Sequence, residues 1–97
     1  MGNIVRGRIV IFLGKVSSAL SKKPSSLQIL GARIRETRKA KGLTQEELAH
    51  ESDIDRSYIG GVERGERNLS FDKLCDLARG LKCDVAALTK GIPEGPK

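Results

Sequence analysis

The sequence predicts an all-α domain of five short helices behind a basic N-terminal extension. Three observations carry that prediction. Apolar residues recur at three-to-four spacing between Leu27 and Leu88, the spacing that puts side chains on one face of a helix. Ser, Thr or Asp stands in front of each run, where its oxygen satisfies a free backbone donor of the first turn. Glycine closes several of the runs.

The elements follow in order. Ser25 and Ser26 precede Leu27, Leu30 and Ile34, and the pattern continues to Lys41 and stops at Gly42. Thr44 followed three residues later by Glu47 is a capping box and fixes the start of a second helix, with Leu48 and Ala49 on its buried side. Asp53-Ile54-Asp55 suits a tight turn, because short acidic side chains hydrogen-bond their own backbone. Asp55 then caps a third helix over Arg56 to Arg64, with Ile59 and Val62 facing inward and Gly65 ending it. A polar loop, Arg64 to Asn68, leads to Ser70, which caps a fourth helix through Phe71, Leu74, Leu77 and Ala78 to Gly80. Asp84 caps a short last helix bearing Val85, Ala86 and Leu88, and Gly91, Pro93, Gly95 and Pro96 exclude further regular structure. The expected organisation is an extension over residues 1–25, one domain over 26–90 and a tail over 91–97. A domain of about 65 residues is near the size at which a single core becomes marginal.

The helix, short turn and second helix between Thr44 and Glu63 have the spacing used to lay a helix in the DNA major groove. With Ile59 and Val62 packed inward, Arg56, Ser57 and Gly60 fall on the opposite side, bordered by Tyr58 and Gly61. Arginine pairs bidentately with guanine, serine bonds either base type, and glycine admits a close backbone approach. The plain alternative is a poor, solvated helix. Two adjacent glycines each cost about 1 kcal/mol relative to alanine in a helix interior, so close approach to DNA or to a neighbouring helix is the better account.

Across residues 30–88 the chain resembles the Cro/cI-like (XRE-type) helix-turn-helix regulators. The resemblance rests on Ile34-Arg35, Arg38, Gly42 to Ala49, Arg56-Ser57-Tyr58-Ile59, Val62 to Gly65 and Arg67-Asn68-Leu69. The segment Asp55 to Arg64 with Arg67-Asn68-Leu69 is similar to the controller proteins of restriction-modification systems. The resemblance implies a compact lambda-repressor-like domain acting as a homodimeric regulator in a bacterium or phage, in the cytoplasm. It places Gln45 on a phosphate beside Thr44, and Arg56 and Ser57 at the bases with Tyr58, Gly60 and Gly61 beside them. Arg64, Arg67 and Asn68 then lie near the DNA backbone. It also implies an Arg38–Glu63 pair that ties the first helix to the end of the recognition helix; two unrelated surface charges are the alternative, contributing about 0 to 1 kcal/mol. The chain departs from the family pattern at Asp53, which stands where the turn usually has glycine, and at Thr37 and Ser52, which replace apolar side chains and reduce expected burial.

Phe71, Leu81, Val85 and Leu88 offer more apolar surface than a lone short helix buries, and a dimer interface would use it; the alternative is that such residues complete the protomer's own core. Two-fold symmetry would place the recognition helices about 34 Å apart and require a palindromic operator.

The charge is unevenly spread. Residues 1–24 hold Arg6, Arg8, Lys15, Lys22 and Lys23 and no acid, leaving 13 Lys and Arg against 12 Asp and Glu in the rest of the chain. DNA affinity is therefore expected from local placement, with Arg56, Arg64, Arg67 and Lys73 near the backbone and Glu46, Glu47 and Glu51 elsewhere, or from help by the extension. The apolar run Ile9 to Leu13 is shorter than the core of an export signal and far too short to span a membrane. Ile9, Phe12, Leu13, Val16 and Leu20 fit a basic amphipathic helix, Ile9 to Phe12 fit a strand equally well, and a poorly ordered extension is the plain reading.

The composition gives no support to catalysis or metal binding. His50 has no second imidazole beside it, Cys75 and Cys83 fit no zinc or redox spacing, and no glycine-rich phosphate loop is present. No cofactor or small-molecule ligand is expected; the partners are double-stranded DNA and a second copy of the chain. The competing function on the same fold is a protein-interaction module, such as an antitoxin or a bridging coactivator.

Overall fold

The computed structural model describes residues 24–93, which form five α-helices. These are α1 (Ser26–Ala40), α2 (Gln45–Ser52), α3 (Arg56–Glu63), α4 (Phe71–Gly80) and α5 (Val85–Thr89). The readings made for residues 1–23 and 94–97, including the apolar run at Ile9, lie outside the described residues.

Each helix begins where a side chain closes its first turn. Ser25 caps α1 through a full capping box: its hydroxyl accepts from the Gln28 amide at 3.1 Å, while Gln28 accepts from the Ser25 amide at 2.8 Å. Thr44 and Glu47 repeat that arrangement at α2. Asp55, Ser70 and Asp84 cap α3, α4 and α5. The first turn of α2 also carries Glu46 and Glu47, whose charges suit the positive end of the helix dipole.

The turn between α2 and α3 is made by Asp53 in the left-handed region, with φ 57° and ψ 42°. The tight reversal follows from this one residue. The amide of Ile54 returns to the Ala49 carbonyl at 3.1 Å, which seats Ile54 in the core. At the far end of α3, Gly65 has φ 74°, its amide bonding the Val62 carbonyl and that of Glu66 the Gly61 carbonyl, at 2.9 and 2.8 Å. This is a Schellman ending, and it turns the chain back across the helix it has just left.

The core is formed by Ile34, Leu48, Ile54, Ile59, Val62, Leu74, Leu77, Ala78, Leu81 and Leu88. α3 lies between α1 and α2; α2 also packs on α4, and α5 bridges α4 and α1. Two of the expected weak points are handled by shape. Ser52 is buried, donates to the Leu48 carbonyl at 2.7 Å, and lies so near Gly80 of α4 that a Cβ there would stand 3.1 Å from the Ser52 Cβ. Thr37 turns its hydroxyl back onto the Arg33 carbonyl at 2.8 Å.

The close crossing of α1 over α3 depends on Gly31. A Cβ at that position would stand 2.2 Å from the Val62 carbonyl oxygen and 2.9 Å from that of Glu63, both backbone atoms that cannot swing aside. Gly31→Ala is expected to lower stability by about 1 to 3 kcal/mol, even though alanine favours the helix, because overpacking forces the two backbones apart. Urea unfolding measures this directly, and an unchanged midpoint would show that the crossing tolerates a methyl group.

Candidate nucleic-acid interface

The polar edge of α3 begins at its cap. Asp55 Oδ2 accepts from the amides of Ser57 and Tyr58, at 3.1 and 3.3 Å, and from the Ser57 hydroxyl. The Ser57 hydroxyl, and then these amides, hold the Asp55 carboxyl below its ordinary range. Ser57 is thereby fixed at the outer edge, and Arg56 beside it is exposed.

Arg56 is not unopposed. Its Nε donates to Glu46 Oε2 at 3.2 Å, with the two side chains 53% and 70% exposed. Glu46 was expected away from this face and is instead on it: the turn at Asp53 folds the first turn of α2 alongside the start of α3. The Glu46 carboxyl sits below its ordinary range, first through its own backbone amide and then through Arg56. Arg64 is matched likewise by Glu66 at 3.0 Å.

Behind the edge is a buried clamp. Arg38 reaches Glu63 with two bonds, Nε to Oε2 at 2.7 Å and Nη2 to Oε1 at 3.1 Å, and its Nη1 donates to the Leu43 carbonyl at 2.8 Å. Gln45 Nε2 adds a bond to Glu63 Oε1 at 3.0 Å. Arg38 and Glu63 are each 8% exposed. The Glu63 carboxylate holds the Arg38 guanidinium above its ordinary range, against the opposing effect of burial. One carboxylate therefore joins α1, the loop before α2, the first residue of α2 and the last residue of α3.

The glycines of α3 are covered rather than open. Gly60 lies under Arg64 and Gln45, and Gly61 under the stem of Arg67. The expectation that Gly60 faces outward is corrected: a residue without a side chain is shielded by its long neighbours. Arg35, Gln45, Gly60, Glu63 and Arg64 line a polar recess of about 450 Å³. Arg35 was not among the candidate residues, although its place three residues before Arg38 puts it on the same face of α1. Tyr58 donates its hydroxyl to the Asn68 carbonyl, and the Arg67 guanidinium stands 5.7 Å from the centre of its ring.

The residues expected at a dimer interface divide. Leu81 and Leu88 are completely buried within the protomer and offer no surface to a partner. Leu81, at the end of α4, and Leu88 both belong to the core, and α5 is tied down as well: Arg33 Nη1 donates to the carbonyls of Leu88 and Lys90, at 3.2 and 2.9 Å. Val85 is half-buried, and Phe71 is 67% exposed.

Two helices joined at Asp53, the second braced from behind with its polar edge outside, define a helix-turn-helix domain. Residues 34–88, more than half of the chain, match the helix-turn-helix family model, and the protein belongs to that family, in its XRE-type branch. Among its relatives is the control protein C.SmaI of Serratia marcescens, 43% identical over 61 residues that make up 63% of this chain and 73% of that one. The crystal structure of the restriction-modification controller protein C.AhdI from Aeromonas hydrophila is similar, with 52% identity, a TM-score of 0.63, and coverage of 64% of this chain and 94% of that one. C.Esp1396I bound to a 19 base pair DNA duplex is also similar, at 37% identity and a TM-score of 0.63, covering 67% of this chain and 87% of that one. Among the described residues no helix is long and apolar enough to cross a membrane.

The clamp makes a direct prediction. Glu63→Ala strands the Arg38 guanidinium and the Gln45 amide, and is expected to cost about 3 to 5 kcal/mol in chemical denaturation. Replacing both partners, Arg38→Met with Glu63→Leu, should recover most of that loss, since no buried charge remains. A single variant that loses under about 1 kcal/mol would mean the pair does not brace α3.

Proposed function

We propose that the protein is a sequence-specific transcriptional regulator of the restriction-modification controller type, which binds a palindromic operator as a homodimer with α3 in the major groove. The observation that carries this reading is the outward Arg56–Ser57 edge, held from behind by the Arg38–Glu63–Gln45 clamp. Arg56 is the reader of guanine and Ser57 its neighbour on the bases. Thr44 and Gln45 meet a phosphate at the start of α2, while Arg64, Arg67 and Asn68 meet phosphates beyond α3. Phe71 and Val85 supply the apolar surface of the dimer.

The ion pair with Glu46 fits this role. Away from a guanine, Arg56 keeps an acidic partner; at the right base it gains two bonds to O6 and N7 in exchange for one exposed pair that is worth about 0 to 1 kcal/mol. The exchange rewards a bidentate acceptor over a single oxygen. Backbone contacts supply the remaining affinity and make it fall with salt.

Selection of bound fragments from random duplexes, followed by titration of the best site, tests the reading. Arg56→Ala is expected to lose about 1 to 3 kcal/mol on that site and to relax preference at one base position. A variant with the parent's affinity and preference would end the base-reading assignment. For the dimer, sedimentation of Phe71→Glu should give monomers at concentrations where the parent is dimeric; an unchanged mass would place the interface elsewhere.

A further inference from the structure

Tyr58 and Gly61 lie three residues apart on α3 and so share one face, and both are turned toward the chain that follows the helix. The Schellman ending at Gly65 sends residues 66–69 back over that face. There the Tyr58 hydroxyl donates to the Asn68 carbonyl, the ring of Tyr58 faces the Arg67 guanidinium, and the methylene stem of Arg67 lies in the space left by Gly61. The fit is close: a Cβ on Gly61 would stand 2.5 Å from Arg67 Cγ. No acidic group pairs with Arg67 among the described ion pairs, in contrast to Arg56 and Arg64.

We propose that Tyr58 and Gly61 are positioning residues for Arg67: together they form a seat that aims its guanidinium at a backbone phosphate flanking the major groove. This inference rests on the DNA-binding reading above. Arginine is long and rotamer-rich, and holding its stem in a slot before the partner arrives lowers the ordering cost on binding. The aromatic face adds an attraction that leaves the outward N–H groups free for phosphate oxygens. The seat also accounts for a glycine in the middle of α3, where alanine would serve the helix better.

The test measures binding of a mixed-sequence duplex of about 20 base pairs over a range of salt concentrations, which reads phosphate contacts without base readout. Arg67→Ala is expected to lower the slope of log K against log salt by about 0.9 per phosphate lost. Gly61→Ala should produce most of the same loss by pushing the Arg67 stem out, and Tyr58→Phe, which keeps the ring and loses the hydroxyl bond, a smaller one. In an Arg67→Ala background, Gly61→Ala should change the slope no further, since Cγ is gone. Melting temperatures report folding, and Tyr58→Phe carries the test should Gly61→Ala unfold. An unaltered slope in Gly61→Ala and Tyr58→Phe, with a lowered slope in Arg67→Ala, would overturn the seat alone. An unaltered slope in Arg67→Ala would overturn the placement of Arg67 at phosphate itself.

Discussion

One buried carboxylate organises this domain. Glu63 is the last residue of α3, and through it Arg38 of α1 and Gln45 of α2 hold the two ends of the motif in a single network. The geometry matters more than any net gain in stability. A buried ion pair seldom outperforms apolar packing of the same size, but it accepts only one arrangement of its partners. A guanidinium fork that must meet two oxygens and one carbonyl cannot slide by a residue. Aliphatic packing of Ile59 and Val62 alone would permit α3 to roll about its axis, and a rotation of a few tens of degrees would carry Arg56 off the outer edge. The clamp opposes that rotation.

The second constraint is the nearness of α1 to α3. Contact at Gly31 brings the backbone of α1 against the carbonyls of Val62 and Glu63, and Gln28 lies against Gly65 one turn earlier. That separation is what lets the side chain of Arg38 reach Glu63 at 2.7 Å without extending into solvent. Packing and electrostatics are thus coupled: loosening the helix crossing would lengthen the pair and admit water, and breaking the pair would leave a charge under the crossing. Such coupling is expected to make the two sites non-additive when both are altered.

What was legible in the sequence follows the range of each interaction. Thr44, Asp55, Ser70 and Asp84 all cap the helices expected of them, and of the two serines before the first run Ser25 is the cap, because a cap is settled within three or four residues. The left-handed Asp53 was legible from its place in the turn and from the tolerance of aspartate for that conformation. The rest depends on residues distant along the chain. Arg33 reaches 55 residues ahead to the Leu88 carbonyl, and nothing near Leu88 signals that its helix is already tied down. Gly31 carries no local signal of its role, since the close contact exists only once α3 is laid across it. Gly60 and Gly61 read as an open surface because their covers, Arg64 and Arg67, are long side chains, and Arg67 is brought over the helix only by the Schellman ending at Gly65.

The near balance of charge in residues 25–97 then has a structural meaning. Two arginines at the edge of the motif already face carboxylates, Arg56 against Glu46 and Arg64 against Glu66. A surface arranged in this way has a weaker long-range field than its arginine count implies, and its attraction for any polyanion is correspondingly small. Exposed pairs of this kind are held by little energy, so a partner offering better geometry can displace the acid. A phosphate and a guanine edge can each offer two acceptors at the spacing of a guanidinium fork. An acid beside an exposed arginine therefore sets a threshold that any incoming acceptor must exceed to take the guanidinium. A single acceptor exceeds it by less than a bidentate one does, so the pair favours partners whose geometry fits the fork.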